Sequence, residues 1–166
     1  MRVLSLFDGI SCGRVALERA GIPVDRYVAY EIEKNAIKIS QKNWSDIEHC
    51  GDVTKADFTQ YQGFDLLIGG SPCQGFSSSG KGLNFDDPRS RLFFEFVRAL
   101  KEAKPKYFLL ENVNMRKEWR DTITEFVGVE PIFINSALVS AQNRQRLYWT
   151  NIPDATVPAD RGVVLS

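Results

Sequence analysis

Short apolar runs alternate with amphipathic stretches along the whole chain, and this alternation constrains the fold more than any other feature. Strand and helix patterns that take turns need right-handed crossovers, which give a mostly parallel sheet covered by helices on both faces. Arg2 to Phe7 reads as a buried strand, Asp8-Gly9 as a turn, and Cys12 to Ala20 as a helix closed by Gly21. Tyr27 to Ile32 reads as a second strand, and Glu33 to Asn43 as a helix with Ala36, Ile37 and Ile39 inward. Ile47 to Cys50 and Phe64 to Gly69 are the third and fourth strands. Leu92, Phe93, Phe96, Val97 and Leu100 then share one helix face. The strand Tyr107 to Leu110, a helix around Trp119 to Val127, and the strands Pro131 to Val139 and Arg146 to Thr150 follow. The expectation is an α/β fold with a mostly parallel seven-stranded sheet and helices on both faces. Residues 1–153 are expected to form the domain and 154–166 a tail or linker, because the stretch from Asn151 carries two prolines and little apolar content.

A length of 166 residues with 43% hydrophobic side chains is enough for one core and leaves little room for a second. Cys12, Cys50 and Cys73 are an odd number at wide spacing, which argues against a disulfide framework. With the single histidine, His49, they lack the paired spacing of a tetrahedral site, so no metal is expected. No apolar run reaches the ~20 residues of a membrane span, and the N-terminus enters a strand without a signal peptide. A soluble intracellular protein with no membrane partner is expected. The 21 basic and 21 acidic side chains cancel, so contact with a polyanion must come from local patches near Lys81, Arg89, Arg91, Arg144 and Arg146.

Parallel α/β sheets bind ligands at the carboxyl ends of their strands, and Asp8, Glu31, Asp52, Cys73 and Glu111 all fall there. The turn Asp8 to Gly13 precedes the first helix, where glycine lets the backbone approach a ligand, although such a turn is often only a connection. Glu31 stands 22 residues after Gly9, where an acid can accept hydrogen bonds from ribose hydroxyls. Asp52 alone, after Gly51, reads as a turn or cap residue. The three acids in order describe a nucleoside-type site.

Gly69-Gly70-Ser71-Pro72-Cys73 leads a strand out through two glycines and a rigid proline to a thiol. Most cysteines are small buried hydrophobes, but Cys73 lies outside any apolar period and can serve as a covalent nucleophile. The Gly/Ser-rich stretch from Gly75 to Gly82 reads as a linker or a lid. Glu111 is a candidate proton donor at the same sheet edge, and Asn112 a candidate helix cap. Arg144 and Arg146 alternate into a strand and so share a face.

Together these motifs resemble the DNA cytosine-5 methyltransferase family, over about residues 2 to 153 and in the family's order. Phe7-Asp8-Gly9 with Gly13 resembles the cofactor loop, Glu31 and Gly51-Asp52 the acids for ribose and adenine, and Pro72-Cys73-Gln74 the catalytic loop. Leu92-Phe93-Phe94-Glu95, Glu111-Asn112-Val113 and the Gln142, Arg144, Arg146 motif complete the match. The resemblance implies a Rossmann-like S-adenosylmethionine-dependent methyltransferase fold. It implies methyl transfer to carbon 5 of cytosine in duplex DNA, with the base flipped out and Cys73 forming a covalent adduct. Glu111 would act at ring nitrogen 3, and Arg144 and Arg146 would hold the base and order the catalytic loop. Phe7, Asp8, Gly9, Ile10, Gly13, Glu31, Ile32, Asp52, Val53, Ser71, Pro72 and Leu92 would hold S-adenosylmethionine, with S-adenosylhomocysteine as product.

The sequence stops soon after Arg146, where the family's target-recognition region and C-terminal motifs follow. The chain is therefore expected to be a catalytic subunit or truncated form needing a second subunit that carries the recognition region. A non-catalytic accessory protein and an RNA cytosine-5 methyltransferase are the alternatives. A cytoplasmic location fits a bacterial or phage protein and a nuclear one a eukaryotic protein.

Overall fold

The apolar run at the N-terminus forms the central strand β1, Arg2–Leu6, in the computed structural model, which describes residues 1–72 and 88–164 apart from the side chains of 88–90. Cys73, the Gly75 to Gly82 stretch and Lys81 lie outside the described residues, as does the side chain of Arg89. The chain continues through α1 (Cys12–Arg19), β2 (Arg26–Tyr30), α2 (Lys34–Asn43), β3 (Ile47–His49) and β4 (Leu66–Gly69). After α3 (Pro88–Ala103) come β5 (Tyr107–Val113), α4 (Lys117–Val127), β6 (Ile132–Asn135) and β7 (Gln145–Thr150). The seven strands make one sheet in the order β3-β2-β1-β4-β5-β7-β6, parallel except where β7 runs antiparallel to both neighbours. Strand order reverses beside β1, so the carboxyl ends of β1 and β4 flank a crevice of the kind that binds ligands.

The period of two along the strands divides the core between the two faces of the sheet. Leu4, Leu6, Val28, Tyr30 and Leu67 point toward Phe93, Phe96 and Val97 of α3 and Ile123 and Val127 of α4. Val3, Tyr27, Ala29, Leu66 and Ile68 point the other way, toward Leu17 of α1. Among the described residues, no helix is long and apolar enough to cross a membrane.

Four sequence-based expectations shift, each for a local reason. The second strand ends at Tyr30, not Ile32, because the Glu31 carboxylate accepts hydrogen bonds from the Ile32 and Glu33 amides and draws the backbone out of the ladder. On α2, Ile39 is 47% exposed and Ser40 is buried instead, hydrogen-bonded to Ser11 and His49. The fifth strand runs through Glu111, Asn112 and Val113, because antiparallel pairing with β7 continues past Leu110, where pairing with β4 stops. Asn112 is therefore a buried strand residue and not a helix cap. The sixth strand is shortened to Ile132–Asn135 because the Asn135 side chain caps a 3₁₀ turn at Ser136–Leu138. Beyond β7, the amide of Arg161 donates to the Leu138 carbonyl and returns the final segment to that turn.

Candidate active site

Three acids leave the carboxyl ends of β1, β2 and β3, and the structure gives each a different task. The Asp8 carboxylate turns inward, where Oδ1 accepts from Ser5 Oγ at 2.6 Å and Tyr27 Oη at 2.8 Å, and Oδ2 accepts from Ser11 Oγ. Burial, and next to it the Asp8 charge, push the Tyr27 phenol well above its usual range, so it remains a donor. This clasp spans a loop in which Phe7 and Ser11, both non-glycine, have φ of 56° and 65°. Left-handed backbone at such residues costs on the order of 1 kcal/mol each, and the three hydroxyl donors on Asp8 offset it. Asp8 therefore positions the loop, and its carboxylate is engaged from within the protein.

Glu31 faces the loop from the next strand. Its Oε2 accepts from the Gly9 amide at 2.7 Å, and its Oε1 from the amides of Ile32 and Glu33, each at 2.8 Å. Asp52 caps the 3₁₀ turn Val53–Lys55, its Oδ1 accepting from the Thr54 amide and hydroxyl. These two donors hold its carboxyl below the usual carboxylate range.

A cavity of about 150 Å³ opens at these strand ends, lined by Phe7, Tyr30, Glu31, Ile32, Gly51, Asp52, Val53, Pro72 and Leu92. Seven of the lining residues are among those implicated in cofactor binding by sequence; Asp8, Gly9, Ile10, Gly13 and Ser71 stand outside the lining. Gly13 serves packing, since a Cβ there would fall 2.1 Å from Ile68 Cδ1, so its absence lets α1 approach the sheet. Tyr30 and Gly51 also line the cavity, Gly51 as part of the Gly51-Asp52 pair of the cofactor motif and Tyr30 as a residue that is not among the sequence candidates. Tyr30 is the last residue of β2, and an apolar strand residue in sequence carries no sign that its side chain faces a ligand site. The walls are mainly apolar, with Ile32 72% exposed at the rim and carboxylates at Glu31 and Asp52. Apolar walls with two carboxylate acceptors suit a flat heteroaromatic ring bearing an amino group and joined to a sugar whose hydroxyls donate, which is the chemistry of an adenosine group.

A second cluster lies at the carboxyl end of β4 and the middle of β5. Arg146 Nε stands 2.7 Å from Glu111 Oε1, and Arg144 approaches the same oxygen at 3.9 Å. The alternation of the two arginines thus brings both to one carboxylate. Glu111 Oε2 lies over Gly70, where a Cβ would stand 2.9 Å from it. Asn112 Nδ2 donates to the carbonyl and hydroxyl oxygens of Ser71, at 3.3 and 3.2 Å, tying β5 to the segment that leads into Pro72. Tyr148, opposite Glu111 in the β5–β7 register, has its phenol pushed up by burial and then by the Glu111 charge.

Residues 1–127 match the family model for C-5 cytosine-specific DNA methylases. The chain is 35% identical to an orphan methyltransferase of Bacillus phage rho11s over 99% of its own length and 35% of that protein. It is 47% identical to a type II methyltransferase of Escherichia coli over 67% of its length and 27% of that protein. The chain therefore spans well under half the length of these curated relatives. The fold matches the crystal structure of Spodoptera frugiperda DNMT2 with a TM-score of 0.73 at 19% identity, covering 98% of this chain and 54% of the other. With the matched segment running from the β1 strand to the end of α4, the chain belongs to the C-5 cytosine-specific DNA methylase family.

Proposed function

We propose that this chain carries the cofactor site and catalytic groups for methyl transfer to carbon 5 of cytosine in DNA. The observation that carries the reading is the pair of clusters at adjoining strand ends: an apolar cavity with two carboxylates, and Glu111 held by Arg146. The residues fit S-adenosylmethionine, with Glu31 and Asp52 as acceptors for ribose and adenine and with Phe7, Ile32, Val53, Pro72 and Leu92 as apolar contacts. When bound, that cofactor supplies a methyl group on a positively charged sulfur.

Carbon 5 of cytosine is a poor nucleophile until something adds to carbon 6. The Cys73 thiolate forms a bond to carbon 6, and the displaced electron pair moves toward ring nitrogen 3, where Glu111 delivers a proton. The resulting enamine is nucleophilic at carbon 5. After methylation, solvent water takes the carbon 5 proton, the electron pair left behind re-forms the double bond to carbon 6 and expels the Cys73 thiolate, and nitrogen 3 returns its proton to the Glu111 carboxylate. The Arg146 guanidinium fixes one Glu111 oxygen, which leaves Oε2 for the base. The target atoms lie inside a duplex, so the cytosine must be flipped out at a cost of a few kcal/mol.

Glu31→Ala should weaken S-adenosylhomocysteine binding by about 1–3 kcal/mol in calorimetry, since it removes the ribose acceptor and leaves the Gly9 amide without its carboxylate. Glu31→Gln should be nearly as damaging. One amide oxygen can still serve Ile32 and Glu33, but the NH₂ would then face the Gly9 N–H, donor against donor. Unchanged affinity in both variants would remove Glu31 from the cofactor site.

DNA recognition by these 166 residues alone is expected to be weak, salt-sensitive and indifferent to sequence, because 21 charges of each sign offer phosphate only local patches. Base readout needs a further surface in the major groove, which we assign to a recognition region supplied by a second subunit or a further segment. The test is methyl transfer from labelled S-adenosylmethionine to duplex DNA, with and without such a region added in trans. Slow or absent transfer that rises on addition is expected. Tight, site-selective binding and rapid turnover by the 166 residues alone would contradict the partner requirement, and no transfer under either condition would contradict the activity.

A further inference from the structure

Arg98 belongs to no motif singled out in the sequence, yet it joins two walls of the cavity. It stands on α3, the helix that supplies Leu92 to the lining. Its Nη2 donates to the Val53 carbonyl at 3.2 Å and its Nη1 to the Ala56 carbonyl at 2.8 Å. On its own helix it pairs with Glu95 at 2.6 Å and Glu102 at 3.1 Å. Its guanidinium carbon also lies 4.4 Å from the centre of the fully buried Phe58 ring, whose backbone amide donates to Glu102. The segment held in this way starts at Asp52 and Val53, the acid and the apolar contact that β3 delivers to the cavity.

We infer that Arg98 is a positioning residue for the nucleoside end of the cofactor site, fixing the 52–56 turn against α3. The inference rests on reading the cavity as the S-adenosylmethionine site. A planar fork of five donors serves two carbonyls, two carboxylates and a ring face at once. A lysine ammonium at the same place has three donors and no plane, so it can hold only part of this set. Arg98 does not line the cavity, so its influence on the ligand passes through the Val53 and Ala56 carbonyls. Asp52 and Val53 are the residues of this turn assigned to the nucleoside, so whatever holds the turn should affect adenosine as much as the complete cofactor.

The test measures binding of S-adenosylhomocysteine and of adenosine to the 166-residue chain and to Arg98→Leu and Arg98→Lys, together with amide hydrogen exchange without ligand. Arg98→Leu should raise both dissociation constants by the same factor, about tenfold, as expected for lost charge-assisted hydrogen bonds. Arg98→Lys should recover part of the loss. Exchange should quicken at the Lys55 and Ala56 amides, which close the turn onto Asp52 and Val53, and stay unchanged in β1. Should Arg98→Leu not fold, Arg98→Lys carries the same test with a smaller loss. Affinity within about twofold of the parent in a folded variant overturns the inference. So does a loss for S-adenosylhomocysteine without one for adenosine, or exchange that quickens throughout the sheet. A parent chain that binds neither ligand instead overturns the reading of the cavity, and the inference falls with it.

Discussion

Cys73→Ser is expected to remove methyl transfer, by at least about 10⁴-fold, while leaving S-adenosylhomocysteine binding nearly unchanged. The separation follows from the position of the residue in the sequence. Cys73 follows Pro72 beyond β4, whereas the carboxylates assigned to the cofactor stand at Glu31 and Asp52 after β2 and β3. A serine hydroxyl keeps the size and much of the polarity of the thiol, but at neutral pH almost none of it is ionised, and the addition to carbon 6 needs an anionic nucleophile. The comparison belongs under conditions where the parent is active, with the recognition region supplied. Turnover near that of the parent would remove Cys73 from the mechanism. A parallel loss of cofactor affinity would instead show that the substitution disturbs the first site.

Gly70→Ala should be the next most damaging single change, although it adds only a methyl group. That methyl would stand 2.9 Å from Glu111 Oε2, inside van der Waals contact, and Gly70 lies between the end of β4 at Gly69 and Ser71, which Asn112 ties to β5, so its backbone has little freedom to retreat. Glu111 is held on its other oxygen by Arg146, so relief of the clash must rotate the carboxyl or break the 2.7 Å ion pair. Either response moves a proton donor by a fraction of an ångström to an ångström, a displacement worth about 10²-fold in rate. The expected signature is a lower kcat with an S-adenosylmethionine dissociation constant close to that of the parent, because Gly70 is not in the cavity lining. A rate within a few fold of the parent would show that Glu111 has room to move.

The order of strands and helices was legible because burial on both faces of a parallel sheet writes continuous apolar runs, and α3 shows an apolar stripe at Leu92, Phe93, Phe96, Val97 and Leu100. Features set by a distant partner were not. β5 extends to Val113 only because β7, arriving over thirty residues later, pairs with it, and no local pattern around Asn112 announces this. The strand-end acids show the same limit. Asp8 and Glu31 look alike in sequence, but Asp8 is surrounded by the hydroxyls of Ser5, Ser11 and Tyr27, and Glu31 by backbone amides at the cavity. Ser5 and Ser11 were visible three residues either side of Asp8, whereas Tyr27 reaches it only through the pairing of β1 with β2. Arg98 could not have been found from its neighbours in sequence, since a charged residue on a helix is ordinarily a solvated one. Its two carbonyl acceptors lie more than forty positions away.

The proposed mechanism requires a covalent bond between Cys73 and carbon 6 of cytosine during methyl transfer. It is tested most directly by incubating the chain and its recognition region with S-adenosylmethionine and duplex DNA containing 5-fluorocytosine at the target base. Fluorine cannot leave carbon 5 as a proton does, so the adduct cannot resolve after methylation and should accumulate. Mass spectrometry of the digested complex should then find the nucleotide on the peptide containing Cys73, with one added methyl group and fluorine retained. An adduct on Cys12 or Cys50, or methylated product released without any protein-bound intermediate, would contradict the account.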